Sequence, residues 1–189
     1  ALNGKIYDLD NEMLVISDSH GIDDLAGIMG GERTSVNLNT TEIFLEAAIF
    51  SPSSIAQTGR ALNINSDARY RFERGLDYDS PELVMHYAAL MIQKICGGKV
   101  SKIVSLQNKN ENKKIIFNPE IILKLSGVII ENNKSLKILE KLGFNVLVDN
   151  NNWNIIVPSW RSDIDGVADI VEEIIRVNGY SSIPTIMLS

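Results

Sequence analysis

Cysteine, histidine and net positive charge are all scarce in this sequence. Cys96 is its one cysteine, which excludes an internal disulfide; its place in an apolar helical run predicts a buried thiol in a reducing compartment. The two histidines, His20 and His86, stand apart, and neither forms a recognisable triad or zinc site with Cys96. There is no glycine-rich nucleotide-binding loop. A net charge of −6 argues against a dominant phosphate-binding surface, so any contact with nucleic acid has to be local. No apolar stretch approaches the roughly 20 residues of a membrane helix, and Ala1-Leu2-Asn3-Gly4 lacks the regions of a signal peptide. The expectation is a cytoplasmic protein with no membrane partner. Ala1 in place of an initiator Met is what a piece of a longer polypeptide, or a trimmed start, would show.

What is present is enough apolar material, 44% of 189 residues, for one good core or two small ones. Four segments read as strands, 5–9, 13–17, 25–29 and 42–50, separated by Asp, Asn and Gly. Ser51-Pro52 and Ser80-Pro81 supply helix starts, and the run from Leu83 to Ile95 is apolar on nearly every side, which predicts a helix packed between layers. The Asn- and Lys-rich stretch from Gln107 to Lys114 marks a domain boundary. Beyond it, Asn118-Pro119 starts a helix stopped by Gly127, a second runs from Asn133 to Leu142, and residues 144–148 and 153–157 flank a polar turn as a hairpin. A last helix spans about 166–177. The fold class is α+β: a mixed-sheet domain with packed helices over 1–108, a small winged-helix-like, DNA-binding-like α/β module over 109–184, and the start of a linker at 185–189.

Two places invite chemistry. In the last helix Asp169, Glu172, Glu173 and Arg176 share one face by their spacing, Asp163 lies just upstream, and Ile170, Val171, Ile174, Ile175 and Val177 fill the other face. Converging carboxylates suit a hard cation such as Mg2+; the same spacing equally suits a dipole-favoured Asp and ion pairs to Arg176. In the strand-like 42–50, alternation sets Glu46 on the face of Phe44, Ala48 and Phe50. A buried acid there either takes a ligand hydroxyl or pairs with Arg60, Arg69, Arg71 or Arg74. The basic and aromatic run from Arg69 to Arg74 reads either as a nucleic-acid contact or as an ion-pair network around Glu73.

Three stretches together carry a resemblance: Gly27-Ile28-Met29-Gly30-Gly31-Glu32, Leu45 to Pro52, and Ser66-Asp67-Ala68-Arg69-Tyr70-Arg71-Phe72-Glu73-Arg74-Gly75. With Val157-Pro158-Ser159-Trp160-Arg161-Ser162-Asp163-Ile164, then Asp169, Glu172-Glu173 and Asn178-Gly179-Tyr180, they stand in the order found in the beta chains of bacterial phenylalanyl-tRNA synthetases, which this chain resembles over nearly its whole length.

The resemblance implies that 1–108 is most of a tRNA-editing domain, which hydrolyses tyrosine wrongly esterified to the phenylalanine tRNA, as double-sieve logic requires. It assigns Glu46 to the tyrosine hydroxyl and Gly30, Ser66 and Ala68 to the pocket lining, with no protein nucleophile; Ser66 stands where threonine is common. A histidine-bearing motif of the family would precede this stretch, so one pocket wall lies outside it. The resemblance assigns Asp163, Asp169, Glu172 and Glu173 to a magnesium site shared with the alpha chain. It implies a heterotetramer of two alpha and two beta chains acting on phenylalanine tRNA, with ATP used by the full enzyme and not bound by this part. The contrasting expectation is a noncatalytic protein that reads DNA with its winged-helix-like module.

Overall fold

A β-strand needs a hydrogen-bonded neighbour, and this requirement decides which strand-like segments fold as strands. The computed structural model describes residues 1–106, 111–149 and 151–185, and the chain divides into two compact units, 1–106 and 107–189. In the first unit, β1 (Val15–Asp18), β2 (Gly21–Leu25) and β3 (Met29–Gly30) form an antiparallel sheet in that order, with Asp24 opposite Gly30. Asp18 closes the β1–β2 turn, its Oδ1 accepting from the backbone N–H of His20 at 2.7 Å and of Gly21 at 3.1 Å. The expected strand over 25–29 is instead mostly the β2–β3 turn. Gly27 sits there at φ +66°, and a Cβ on it would meet Phe50 at 2.9 Å and Ile55 at 3.0 Å. Segments 5–9 and 42–50 have strand composition yet belong to no ladder, because no described strand lies beside them.

Helix α1 (Pro52–Ala61) begins where Ser51-Pro52 predicts, and α2 (Asp67–Phe72), which the sequence reading missed, is capped by Ser66. Leu25, Ile28, Ile55 and Ile64 form a small core, with Phe50, Leu62 and Phe72 against it. Helix α3 (Ser80–Cys96) departs from expectation: none of its residues is buried, and Leu83, Tyr87, Leu90 and Ile95 are 63–75% exposed. Apolarity all round calls for neighbours on every side, and the described residues do not supply them. Cys96 is exposed for the same reason, against the expected buried thiol.

The second unit has the larger core. Strands β4 (Lys114–Phe117), β5 (Asn145–Asp149) and β6 (Asn152–Ile156) make an antiparallel sheet in the order β4-β6-β5. Both sheets being antiparallel, the expected mixed sheet is corrected. Lys114, read as linker, opens β4, whose alternate residues Ile115 and Phe117 are buried. The rest of the expected linker, 107–110, and Asn150 of the hairpin turn lie outside the described residues; the hairpin itself pairs Val148 with Trp153. Helices α4 (Glu120–Ser126) and α5 (Asn132–Lys141) follow β4, and α6 (Val167–Asn178) closes the unit. Gly127 ends α4 in the left-handed conformation, φ +72°. Helix α6 buries Ile170, Val171, Ile174 and Ile175 against Phe117, Leu139, Trp153 and Ile155. Each such side chain contributes roughly 1.5–3 kcal/mol.

Candidate functional site

In the first unit a cleft of about 580 Å³ opens between the β2–β3 turn, the 46–50 segment and α2. Gly30, Glu46 and Ala68, three of the residues expected to line a pocket, line it together; Asp24, Phe50 and Arg71 line it too. Glu46 is not the buried acid expected. It is an exposed residue, Phe44 on its supposed inward face is 93% exposed, and without a ladder the strand alternation does not hold. Partial burial in the cleft and the negative charge of Asp24 raise its carboxyl above the ordinary value. No hydrogen bond or ion pair joins Glu46 to any arginine among the described residues. Asp24 itself accepts from the Gly31 N–H at 2.9 Å.

Ser66 stands beside this wall rather than on it. Its hydroxyl donates to the Ile28 carbonyl at 2.6 Å and accepts from the Arg69 N–H at 3.1 Å, so it both caps α2 and ties the helix to the β2–β3 turn. Arg69 anchors the other side of α2: its guanidinium donates to the carbonyls of Gly59 at 3.1 Å and Ile64 at 2.6 Å, and to Glu73 at 3.1 Å. Glu73 also takes Arg74 at 3.1 Å, and Arg74 stacks over the Tyr70 ring at 3.6 Å. The run from Arg69 to Arg74 is therefore an ion-pair network around Glu73, with Arg71 left out of it. Asp24 had no sequence signal assigning it to a cleft; Arg71, named only as one of four arginines that could pair with Glu46, reaches the cleft because it lies one turn of α2 beyond Ala68.

The acidic end of the second unit is organised by arginine. Arg161 grips both oxygens of Asp163, at 2.8 and 2.6 Å, and reaches Glu173 at 2.8 Å. Arg176 takes both oxygens of Glu173 at 3.0 and 2.7 Å. Glu173, expected on the solvated face, is buried at 7% exposure, whereas Val177, expected inside, is 46% exposed. Hydrogen bonding from Arg176 and then Arg161 outweighs the desolvation of Glu173 and holds its carboxyl down at about 2. Arg161 likewise lowers Asp163. Asp169 accepts from the N–H groups of Asp165 at 2.7 Å and Gly166 at 2.8 Å, closing the start of α6, while Glu172 points outward and exposed. A hard cation needs carboxylate oxygens with lone pairs to spare. Among the described residues no group of three or more His, Cys, Asp or Glu side chains is arranged to hold one. Guanidinium and backbone N–H groups engage three of the four carboxylates, Asp163, Glu173 and Asp169 Oδ2, while Glu172 and Asp169 Oδ1 accept no hydrogen bond among the described residues.

Residues 1–97 match the family model described as the B3/4 domain. The chain belongs to the B3/4 domain family. Residues 115–180 match a second model, the tRNA synthetase B5 domain. The chain is homologous to phenylalanine-tRNA ligase beta subunits: it is 43% identical over 185 residues to that of Rhodopseudomonas palustris, covering 97% of this chain and 23% of the relative. It is 45% identical over 190 residues to that of Bartonella quintana, covering 100% and 24%, and 43% identical over 184 residues to that of a Wolbachia of Brugia malayi, covering 96% and 23%. The B3/4 chain thus spans about a quarter of the length of these curated relatives. Among its described residues no helix is long and apolar enough to cross a membrane.

Proposed function

We propose that this chain is the part of a phenylalanine-tRNA ligase beta subunit that hydrolyses tyrosine misattached to phenylalanine tRNA and that docks on the alpha subunit. The observation that carries the reading is Glu46, unpaired among the described residues, lining the same cleft as Gly30 and Ala68 inside the B3/4 match. A carboxylate without an internal partner is free to accept from a phenolic hydroxyl, while phenylalanine leaves it unsatisfied. The cleft's chemistry is positioning: the amino-acid ring lies between the turn and α2, the ester carbonyl faces solvent, and water adds to it as the tRNA hydroxyl leaves. Among the described lining residues there is no serine or cysteine paired with a base to act as nucleophile.

In the assembled enzyme, two alpha and two beta chains in the cytoplasm, ATP-driven aminoacylation falls to the alpha chain. The contribution of α6 is the arginine-bridged surface around Asp163 and Glu173. A magnesium ion shared with the alpha chain would require Arg161 and Arg176 to release those oxygens first. The DNA-reading alternative has little support, since the exposed end of α6 is acidic and repels phosphate. In the intact ligase, Glu46→Ala should impair deacylation of tyrosyl-tRNA while sparing phenylalanine activation; unchanged deacylation would reject the reading.

A further inference from the structure

Helical spacing sorts α2 into two faces. Ala68, Arg71 and Phe72, three and four residues apart, all line the cleft, while Arg69 and Glu73 form an i,i+4 pair directed at α1 and the 64–65 turn. The charges sort the same way. Each oxygen of Glu73 already has an arginine, Oε2 taking Arg69 and Oε1 taking Arg74, both at 3.1 Å. No hydrogen bond or ion pair engages the Arg71 guanidinium among the described residues. The two carboxylates lining the cleft do not neutralise it either: Glu46 is unpaired, and Asp24 is bonded to the Gly31 N–H at 2.9 Å. The cleft therefore holds a cation and an anion that both stay free of each other.

We infer that Arg71 is an anion subsite of this cleft, binding a phosphate of the tRNA's 3′ end while Glu46 takes the hydroxyl of the amino acid. The inference rests on the editing reading and adds the nucleotide side of the substrate to it. A guanidinium offers a planar fork of donors matched to phosphate oxygens. A chain of net charge −6 can hold RNA only through such local contacts. Tyrosyl-tRNA carries a phenolic hydroxyl and, a nucleotide away, phosphate, the two groups that an unpaired carboxylate and an unpaired guanidinium would accept. Arg71 would hold the substrate and take no part in the hydrolysis itself.

The test is steady-state deacylation of tyrosyl-tRNA by the intact ligase at several salt concentrations, with L-tyrosinamide, which has neither phosphate nor carboxylate, as a competitive inhibitor. Arg71→Ala should raise KM about tenfold at low salt with kcat little changed, and lower the salt dependence of log kcat/KM by about 0.7, the loss of one single-strand phosphate contact. The inhibition constant of tyrosinamide should stay constant, and Arg71→Lys should recover part of the loss. Thermal unfolding of both variants should match the parent, since Arg71 is exposed and unpaired. An unchanged KM and salt slope overturns the subsite, as does a parallel rise in the tyrosinamide inhibition constant, which would place Arg71 on the amino acid. Glu46→Ala, run alongside, separates the two ideas: impaired deacylation there with no effect at Arg71 sinks the subsite alone, whereas no effect at Glu46 sinks the editing reading.

Discussion

Arg161 Nη1 donates to Glu173 Oε2 across 2.8 Å, while the other two nitrogens of the same guanidinium hold Asp163. One side chain thereby latches the loop that precedes α6 onto the buried carboxylate of the helix. The guanidinium carbon of Arg161 also lies 5.7 Å from the Phe144 ring centroid, within cation–π range.

Replacing Arg161 with Met should therefore destabilise the second unit by about 1–3 kcal/mol. Glu173, at 10% side-chain exposure, would keep only Arg176 as a counter-charge. Chemical denaturation followed by Trp153 and Trp160 fluorescence measures this; a midpoint equal to the parent's would show that the latch carries no stability.

The same network sets an acid limit. The Glu173 carboxyl is lowered from 4.5 to about 2, so its contribution is fully present above pH 4.5 and is lost as pH falls toward 2. It amounts to on the order of 1–3 kcal/mol after allowing for solvent screening. Melting temperature between pH 5 and 2 should fall more steeply for the parent chain than for Glu173→Gln, which has no such carboxyl to protonate. Parallel curves would assign the acid sensitivity to other groups.

Magnesium is predicted to leave this chain's stability alone. The oxygens of Asp163 and Glu173 are taken by Arg161 and Arg176, so millimolar magnesium or EDTA should shift the thermal midpoint by less than about 1 °C. A clear upward shift with magnesium would mean that the arginines yield the site to a cation.

How far the sequence could be read depended on whether each signal was local. Asn118-Pro119, Gly127 and Gly143 mark helix starts and stops by backbone chemistry, and α4, α5 and the β5–β6 hairpin fall within a residue or so of where those marks put them. Strand composition at 42–50 says nothing of whether a neighbour exists, and none of the described strands pairs with it. Glu173 was misassigned because a period of 3.6 leaves it at the boundary of the apolar stripe, where two arginines rather than helix geometry decide its burial. In the cleft, Gly30, Glu46 and Ala68 were anticipated through the family resemblance; Arg71 follows Ala68 by one helical turn, a spacing hidden while α2 went unrecognised, and Asp24 reaches the cleft through packing between distant segments.

Gly59 is a further consequence of that packing. A Cβ there would lie 2.3 Å from Arg69 Nε, so Gly59→Ala should force the guanidinium away from the carbonyls of Gly59 and Ile64. A cost of about 1–3 kcal/mol is expected for such overpacking, read as a lower denaturation midpoint. A variant as stable as the parent would mean that α2 does not depend on this anchor.

The most direct test of the account is the rate of tyrosyl-tRNA hydrolysis relative to phenylalanyl-tRNA hydrolysis by the intact ligase, measured for the parent and for Glu46→Ala under the same conditions. Loss of a charged hydrogen bond to the phenol should cut the tyrosine rate roughly 10- to 100-fold and leave phenylalanine hydrolysis nearly unaltered. Equal tyrosine rates with and without the carboxylate would contradict the account.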